Sequence, residues 1–304
     1  MDVETTISKI DLAGQVSFEE AAFLLLYKHI PKRAELIAFS TRLSKARALP
    51  LQIVELIKTL RHARPMTVLR TAVSALGAVQ EQQADRASRI DPRERLIARI
   101  PTIFATHHAC RSGAALPVPH AGFGHSKNLL AMLGLAHDDL RVRLTDIGLV
   151  TQAEQGTGAS AFAARVAVNA GADIFAAITA ALGSFDGPGQ GGAIAETAAM
   201  LKEIGSPDRA KEYVRKHRKK AGEDPRAQHL RAAAEELAAI TRRGTTLEIL
   251  EALHMLGADA GLRGWTVAFY EQLGIPEDLY LPMSAASRIT GWLAHIDEET
   301  GGRT

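Results

Sequence analysis

The stretch Gly171-Ala-Asp-Ile-Phe-Ala-Ala-Ile-Thr-Ala-Ala-Leu-Gly-Ser-Phe-Asp-Gly-Pro-Gly-Gln-Gly-Gly-Ala193 decides the fold class. Its first half closes a run, Ala159 to Leu182, built almost wholly from Ala, Val, Ile and Phe. Arg165, Asn169 and Asp173 interrupt that run, so it does not supply the roughly 20 uninterrupted apolar residues a membrane helix needs. Buried helices are the expectation. The second half, GSFDGPGQGG (183–192), is the strongest helix breaker in the chain.

Outward from this point the same grammar repeats. Ser17 with Glu20 is a capping box opening the apolar run Ala21 to Tyr27, and Pro31 closes it. Leu36, Ile37, Phe39 and Leu43, then Ile53, Val54, Leu56 and Ile57, fall at helical spacing. Pro65-Met66 is expected to break the pattern before Thr67–Val79 resumes it. Gln80–Arg93 reads as a solvated loop or helix end, Leu96–Cys110 as a helix interrupted near Pro101, and Gly113–Gly124 as a loop. Helices are expected over 128–135, 138–151, 193–204, 227–240, 246–256, 266–273 and 285–296. Strand-period segments and fixed-period repeats are absent, and aromatics are only 5 % of the chain, so the class is all-α.

Composition excludes some functions. A net charge of +2 is too small to imply nucleic-acid binding, and the basic run Arg215–Lys220 carries no interleaved aromatic. Cys110 is the single cysteine, so no intrachain disulfide forms and a reducing compartment is expected. Met1-Asp2-Val3-Glu4 begins acidic with no apolar core of a secretory signal. A cytoplasmic protein with no membrane span is expected.

Six segments in order carry a resemblance: FEEAAFLLLY (18–27), RPMTVLRTAVSALG (64–77), AEQGTGASAFAARV (153–166), GADIFAAITAALGSFDGPGQGGA (171–193), EDPRA (223–227) and LGIPEDLYLPMSAASRITGWLAH (273–295). Together they resemble the citrate synthases and 2-methylcitrate synthases. The resemblance implies a large helical domain, 1–187 with 283–304, and a small one, 188–282, with the site in the cleft between them. It also implies a homodimer, a place in tricarboxylic acid metabolism, and condensation of an acyl-CoA with a 2-oxo acid followed by thioester hydrolysis. Coenzyme A thioester is then a co-substrate; no permanently bound cofactor and no metal are expected.

That chemistry needs a carboxylate to take the proton alpha to the thioester, a neutral donor for the enolate oxygen, and cationic or imidazole groups for the acid. The family's GPLHGGA loop is Gly187–Ala193 here, with Gln190 in place of histidine. An amide donates a hydrogen bond but does not shuttle a proton. HAEHG is Gln152-Ala-Glu-Gln155-Gly156, so the acid-binding imidazole is Gln155. Counting back from LGIP, the family's catalytic Asp falls on Arg263; Asp259, four residues earlier, serves only if the backbone shifts by a turn.

The spacing of His217-Arg218 to Asp224-Pro225-Arg226 fits the family's HR…DPR, although Arg215-Lys216 replaces the preceding glycine turn. A basic helix end is the alternative for this run. Arg226 and Arg288 match the positions that bind carboxylates, and guanidinium pairs bidentately with such anions. By resemblance, then, Gln190 and His217 are the catalytic candidates, and Gln155, Arg226 and Arg288 the substrate-binding ones. Two readings stay open: a divergent acyl-CoA enzyme acting in either direction, or an inactive homologue that completes a heteromer with an active subunit.

Overall fold

A computed structural model describes residues 12–82, 90–217, 224–242, 244–258 and 260–301. Asp259, Arg218, Lys219, Lys220 and Glu223 lie outside the described residues. The described residues form fifteen α-helices and no strand. In chain order these are α1 Phe18–Tyr27, α2 Arg33–Ala46, α3 Leu51–Thr59, α4 Pro65–Gln82, α5 Pro92–Ser112, α6 His125–Met132, α7 Asp139–Ala153 and α8 Ala159–Asn169. They continue as α9 Ile174–Phe185, α10 Ala193–Ile204, α11 Ala210–His217, α12 Ala227–Ala238, α13 Thr245–Met255, α14 Gly261–Leu273 and α15 Tyr280–Thr300.

The helix starts follow from local chemistry. Ser17 accepts from the Glu20 amide at 3.3 Å while the Ser17 amide donates to Glu20 at 2.8 Å, so the expected capping box is formed. Asp173 accepts from the amides of Phe175 and Ala176 at 2.7 and 3.0 Å. This cap divides the apolar run 159–182 into two helices, α8 and α9.

Two proline expectations are corrected. Pro65 opens α4 instead of breaking the pattern, because the first helical position needs no N–H and already has proline's φ. Pro101 leaves α5 continuous from Pro92 to Ser112. It removes one intrahelical bond, but it sits in a stretch, Ile100 to His107, that is buried throughout, and packing holds the helix together.

α15 is the spine. Every residue from Pro282 to Asp297 is buried, and the helix packs against α1, α4, α5, α7, α8 and α9. A helix enclosed on all sides must satisfy its polar groups internally. Ser284 donates to Gln152 at 2.9 Å, Ser287 to the Leu149 carbonyl, and Asp297 pairs with Arg93. Helices α10, α12 and α13 gather around α14, and both α12 and α14 also touch α7. The loop 187–192 leads from α9 into that second group.

Candidate active site

A cavity of about 370 Å³ opens where α7, α14 and α15 meet the glycine loop. Gln152, Gln155, Gln190, Asp224, Arg226, Arg263, Thr266, Ser284 and Arg288 are its polar lining. Four of the five residues singled out from the sequence therefore converge, from segments up to 133 positions apart in the chain (Gln155 to Arg288). Arg263, the residue at the expected acid's position, lines the same space.

His217 is not among the lining residues. It is exposed at the end of α11, its ring stacked on Tyr213 at 4.1 Å and its Nδ1 3.1 Å from the Tyr213 carbonyl. The basic helix end is the description that fits it, and no imidazole faces the cavity among the described residues.

Arg288 is the unusual group. It is only 2 % exposed, yet Nε and Nη1 have no hydrogen-bond partner. Its nearest anion is Glu154, with Nη1 3.9 Å from Oε1. Burial pushes the guanidinium down to about 10, Glu154 opposes the shift, and Arg226 adds to it. It remains cationic at neutral pH. A buried cation with open donors on a cavity wall is costly unless an anion completes it.

Glu154 organises the floor. Its Oε1 accepts from the amides of Gln155 (2.7 Å) and Gly156 and faces His295 Nε2 at 3.2 Å. Burial alone would raise this carboxyl, but His295, Arg288 and the Gln155 amide together hold it below its ordinary range. Arg165 Nη2 lies 2.7 Å from His295 Nδ1. Guanidinium only donates, so Nδ1 accepts and the ring proton sits on Nε2, toward Glu154. Arg288, Gly291 and His295 are spaced three and four apart on α15 and so share one face. Gly291 leaves the room: a Cβ there would lie 2.4 Å from both the Ala153 carbonyl and Glu154 Oε2.

Arg226 is less available than its sequence position implies. Nε and Nη2 pair with Asp224 at 2.9 and 2.6 Å, and Nη1 donates to the Glu154 carbonyl at 3.0 Å. The Arg226 hydrogen bonds hold the Asp224 carboxyl below its ordinary value. Asp224 is the one carboxylate on the described lining.

The amides are placed by neighbours. Trp292 Nε1 donates to Ser160 at 3.1 Å, and Ser160 donates to Gln190 Oε1 across a long 3.4 Å. This relay turns the Gln190 carbonyl to Ser160 and leaves its NH₂ as donor. Gln152 is spent internally on Tyr270 and Ser284, both at 2.9 Å. Gln155 is exposed and lines the cavity. Sequence reasoning missed Glu154, Gly291, His295, Ser160 and Trp292; Glu154 sits between Gln152 and Gln155, with no local pattern that marks it as buried.

An all-helical fold with a cationic, amide-lined cleft is thus defined. The citrate synthase C-terminal domain model matches residues 7–303. Citrate synthase 2 of Bacillus subtilis is 32 % identical over 311 residues, covering 95 % of this chain and 84 % of that one. 2-Methylcitrate synthase of Mycobacterium tuberculosis is 33 % identical over 308 residues, covering 95 % and 78 %. The crystal structure of citrate synthase from Pyrobaculum aerophilum superposes with a TM-score of 0.85 at 29 % identity, covering 96 % and 81 %. A citrate synthase from Thermoplasma acidophilum in ternary complex with carboxymethyl coenzyme A and oxaloacetate shares the fold, with a TM-score of 0.84 at 23 % identity. This chain belongs to the citrate synthase family.

Proposed function

We propose that this chain is an acyl-CoA-dependent enzyme of the citrate synthase type, joining an acyl thioester to a 2-oxo or related carboxylic acid in the 370 Å³ cavity. The observation that carries the proposal is Arg288, a buried guanidinium with two nitrogens lacking hydrogen-bond partners on the cavity wall. It takes the acid's carboxylate. The Gln155 and Gln190 amides donate to the acceptor carbonyl and to the thioester oxygen, where negative charge develops. Arg226 acts with Asp224 as a strut that fixes the Glu154 main chain, and His217 is left out of the reacting set.

Helix packing supports the division into 1–187 with 283–304 and 188–282, since α10 and α12–α14 pack mainly among themselves. A homodimer belongs to the proposal. Phe162 and Val166, one turn apart on α8, are 60 % and 51 % exposed, as an apolar face awaiting a second copy would be. Among the described residues no helix is long and apolar enough to cross a membrane. A cytoplasmic site of action and a place in tricarboxylic acid metabolism belong to the proposal.

Calorimetric titration with oxaloacetate tests the carboxylate clamp. Arg288→Ala removes a charge-assisted contact of about 1.5–3 kcal/mol, so binding should weaken roughly 10- to 150-fold. Thiol release from a panel of acyl-CoA thioesters, dependent on oxaloacetate and lost in a Gln190→Ala/Arg288→Ala double variant, tests the reaction. The absence of an unpaired carboxylate on the described lining favours one second reading, an inactive partner subunit. Oxaloacetate binding without thiol release from any thioester, together with co-purification of a second family member, would establish that reading instead.

A further inference from the structure

Condensation needs a carbanion, and the described cavity offers no free base to make one by proton removal. Asp224 is locked against Arg226 through two nitrogens at 2.9 and 2.6 Å. Glu154 is buried and absent from the cavity lining; its Oε1 is committed to two backbone amides, and its Oε2, which has no hydrogen-bond partner, is sealed in the protein beside the Gly291 position. The position aligned with the family's acid holds the opposite charge, Arg263, which is exposed and lines the cavity. Two guanidiniums therefore face the space without a hydrogen-bonded carboxylate, and their settings differ. Arg288 is sealed in the protein and suits an anion that stays; Arg263 is in solvent and holds an anion only weakly.

Resting on the function proposed above, we propose that the acyl donor is a 2-carboxyacyl thioester of the malonyl type, whose carboxylate docks at Arg263 and leaves as CO₂. The bond between the α-carbon and that carboxylate breaks, CO₂ departs, and the bond's electron pair passes into the thioester as the enolate. No proton is taken from carbon. The Gln190 NH₂ or the Gln155 amide donates to the enolate oxygen. The α-carbon attacks the 2-oxo carbon of an acceptor held at Arg288, and the resulting alkoxide takes a proton from water. Water then cleaves the acyl–sulfur bond, giving the carboxylic acid and the free thiol. Because the ion pair at Arg263 is screened, it orients the leaving carboxylate without stabilising it enough to block its departure.

The test supplies malonyl-CoA, ¹³C-labelled at its free carboxyl, with oxaloacetate, and in parallel acetyl-CoA with oxaloacetate. Labelled CO₂ and thiol should appear in equal amounts from malonyl-CoA only when oxaloacetate is present, with no thiol from acetyl-CoA. Arg263→Ala should lower kcat/KM for malonyl-CoA about fivefold, the size an exposed ion pair supports. Affinity for oxaloacetate should not change in that variant, and Arg263→Lys should retain most of the rate. Acetyl-CoA turnover equal to that of malonyl-CoA would overturn the inference while leaving the proposed function standing. Acetyl-CoA turnover abolished by Asp259→Asn would overturn it too, by identifying a base. Equal loss of oxaloacetate and malonyl-CoA affinity in Arg263→Ala would assign Arg263 to the acceptor and overturn it as well. No thiol from either donor would overturn the inference, and no thiol from any thioester of the wider panel would remove the proposed function along with it.

Discussion

Replacing Gly291 with alanine sets two effects of opposite sign against each other. In the interior of α15 the change gains helix propensity, about 1 kcal/mol. The new methyl would lie 2.4 Å from the Ala153 carbonyl and 2.4 Å from Glu154 Oε2, where ordinary contacts begin near 3.4 Å. The end of α7 must then retreat by roughly 1 Å in a packed interior. Overpacking costs about 3 kcal/mol here, the upper end of its usual range, because one of the two atoms belongs to the main chain. The net loss is about 2 kcal/mol, or roughly 4 °C of melting temperature for a chain of this size. Gly122→Ala is the control: it sits in a loop with nothing within 4 Å of its Cβ position and should melt like the parent. Glu154 must move with its helix end, so oxaloacetate affinity should fall severalfold in the same variant. Thermal melts with calorimetry read both. A Gly291→Ala protein that melts at or above the parent temperature would refute the close approach of α7 and α15 on which the site's floor depends.

Two further outcomes concern charges outside the cavity. Burial raises the Asp146 carboxyl to about 6, and Glu19 adds to the shift; hydrogen bonds from Ser126 and the Phe18 amide oppose it. The folded pKa lies above the ordinary 3.8, so its stabilising contribution is complete below about pH 4 and is lost as pH rises to 6. Asp146→Asn keeps an acceptor oxygen and should raise stability at pH 7 by about 1–2 kcal/mol, flattening denaturant midpoints between pH 4 and 6. Glu94, fully buried, accepts from both Arg42 Nε and Nη2 at 2.7 Å and from Tyr27 at 2.6 Å. Arg42→Ala strands that carboxylate and should cost about 3 kcal/mol; Glu94→Ala strands a cation already 35 % exposed and should cost about 2. Urea unfolding of both variants ranks them, and the reverse order would place the burial of Glu94 in doubt.

The helical class was legible because its signals are local. Ser17 with Glu20 and the GSFDGPGQGG break each act within a few residues of themselves, whereas the Asp173 cap that splits the run 159–182 reads in sequence only as a polar interruption. The convergence of Gln155, Gln190, Arg226 and Arg288 was legible only through the resemblance, since no spacing rule links residues from four separate segments. Other features depend on distances that sequence does not contain. Whether Arg226 is open or spent depends on Asp224 two residues away, and a DPR tripeptide allows either. Arg288 carries the same letter whether paired or not; its open nitrogens follow from Glu154 being shared with two amides and His295. His217 had plausible spacing but sits on a short basic helix that points its ring at Tyr213, a local contact stronger than the register of the motif.

The burial of α15 has a consequence for how this chain can change over time. Arg288, Gly291, Trp292 and His295 do their separate jobs only while they point the same way. One residue inserted or deleted between Arg288 and His295 turns the ends of that interval by about 100° relative to each other. The guanidinium would leave the cavity, or the imidazole would leave Glu154. By contrast, a side chain added at Gly122 meets nothing within 4 Å. Within this one enclosed segment homologues should tolerate changes of letter long before they tolerate a gap.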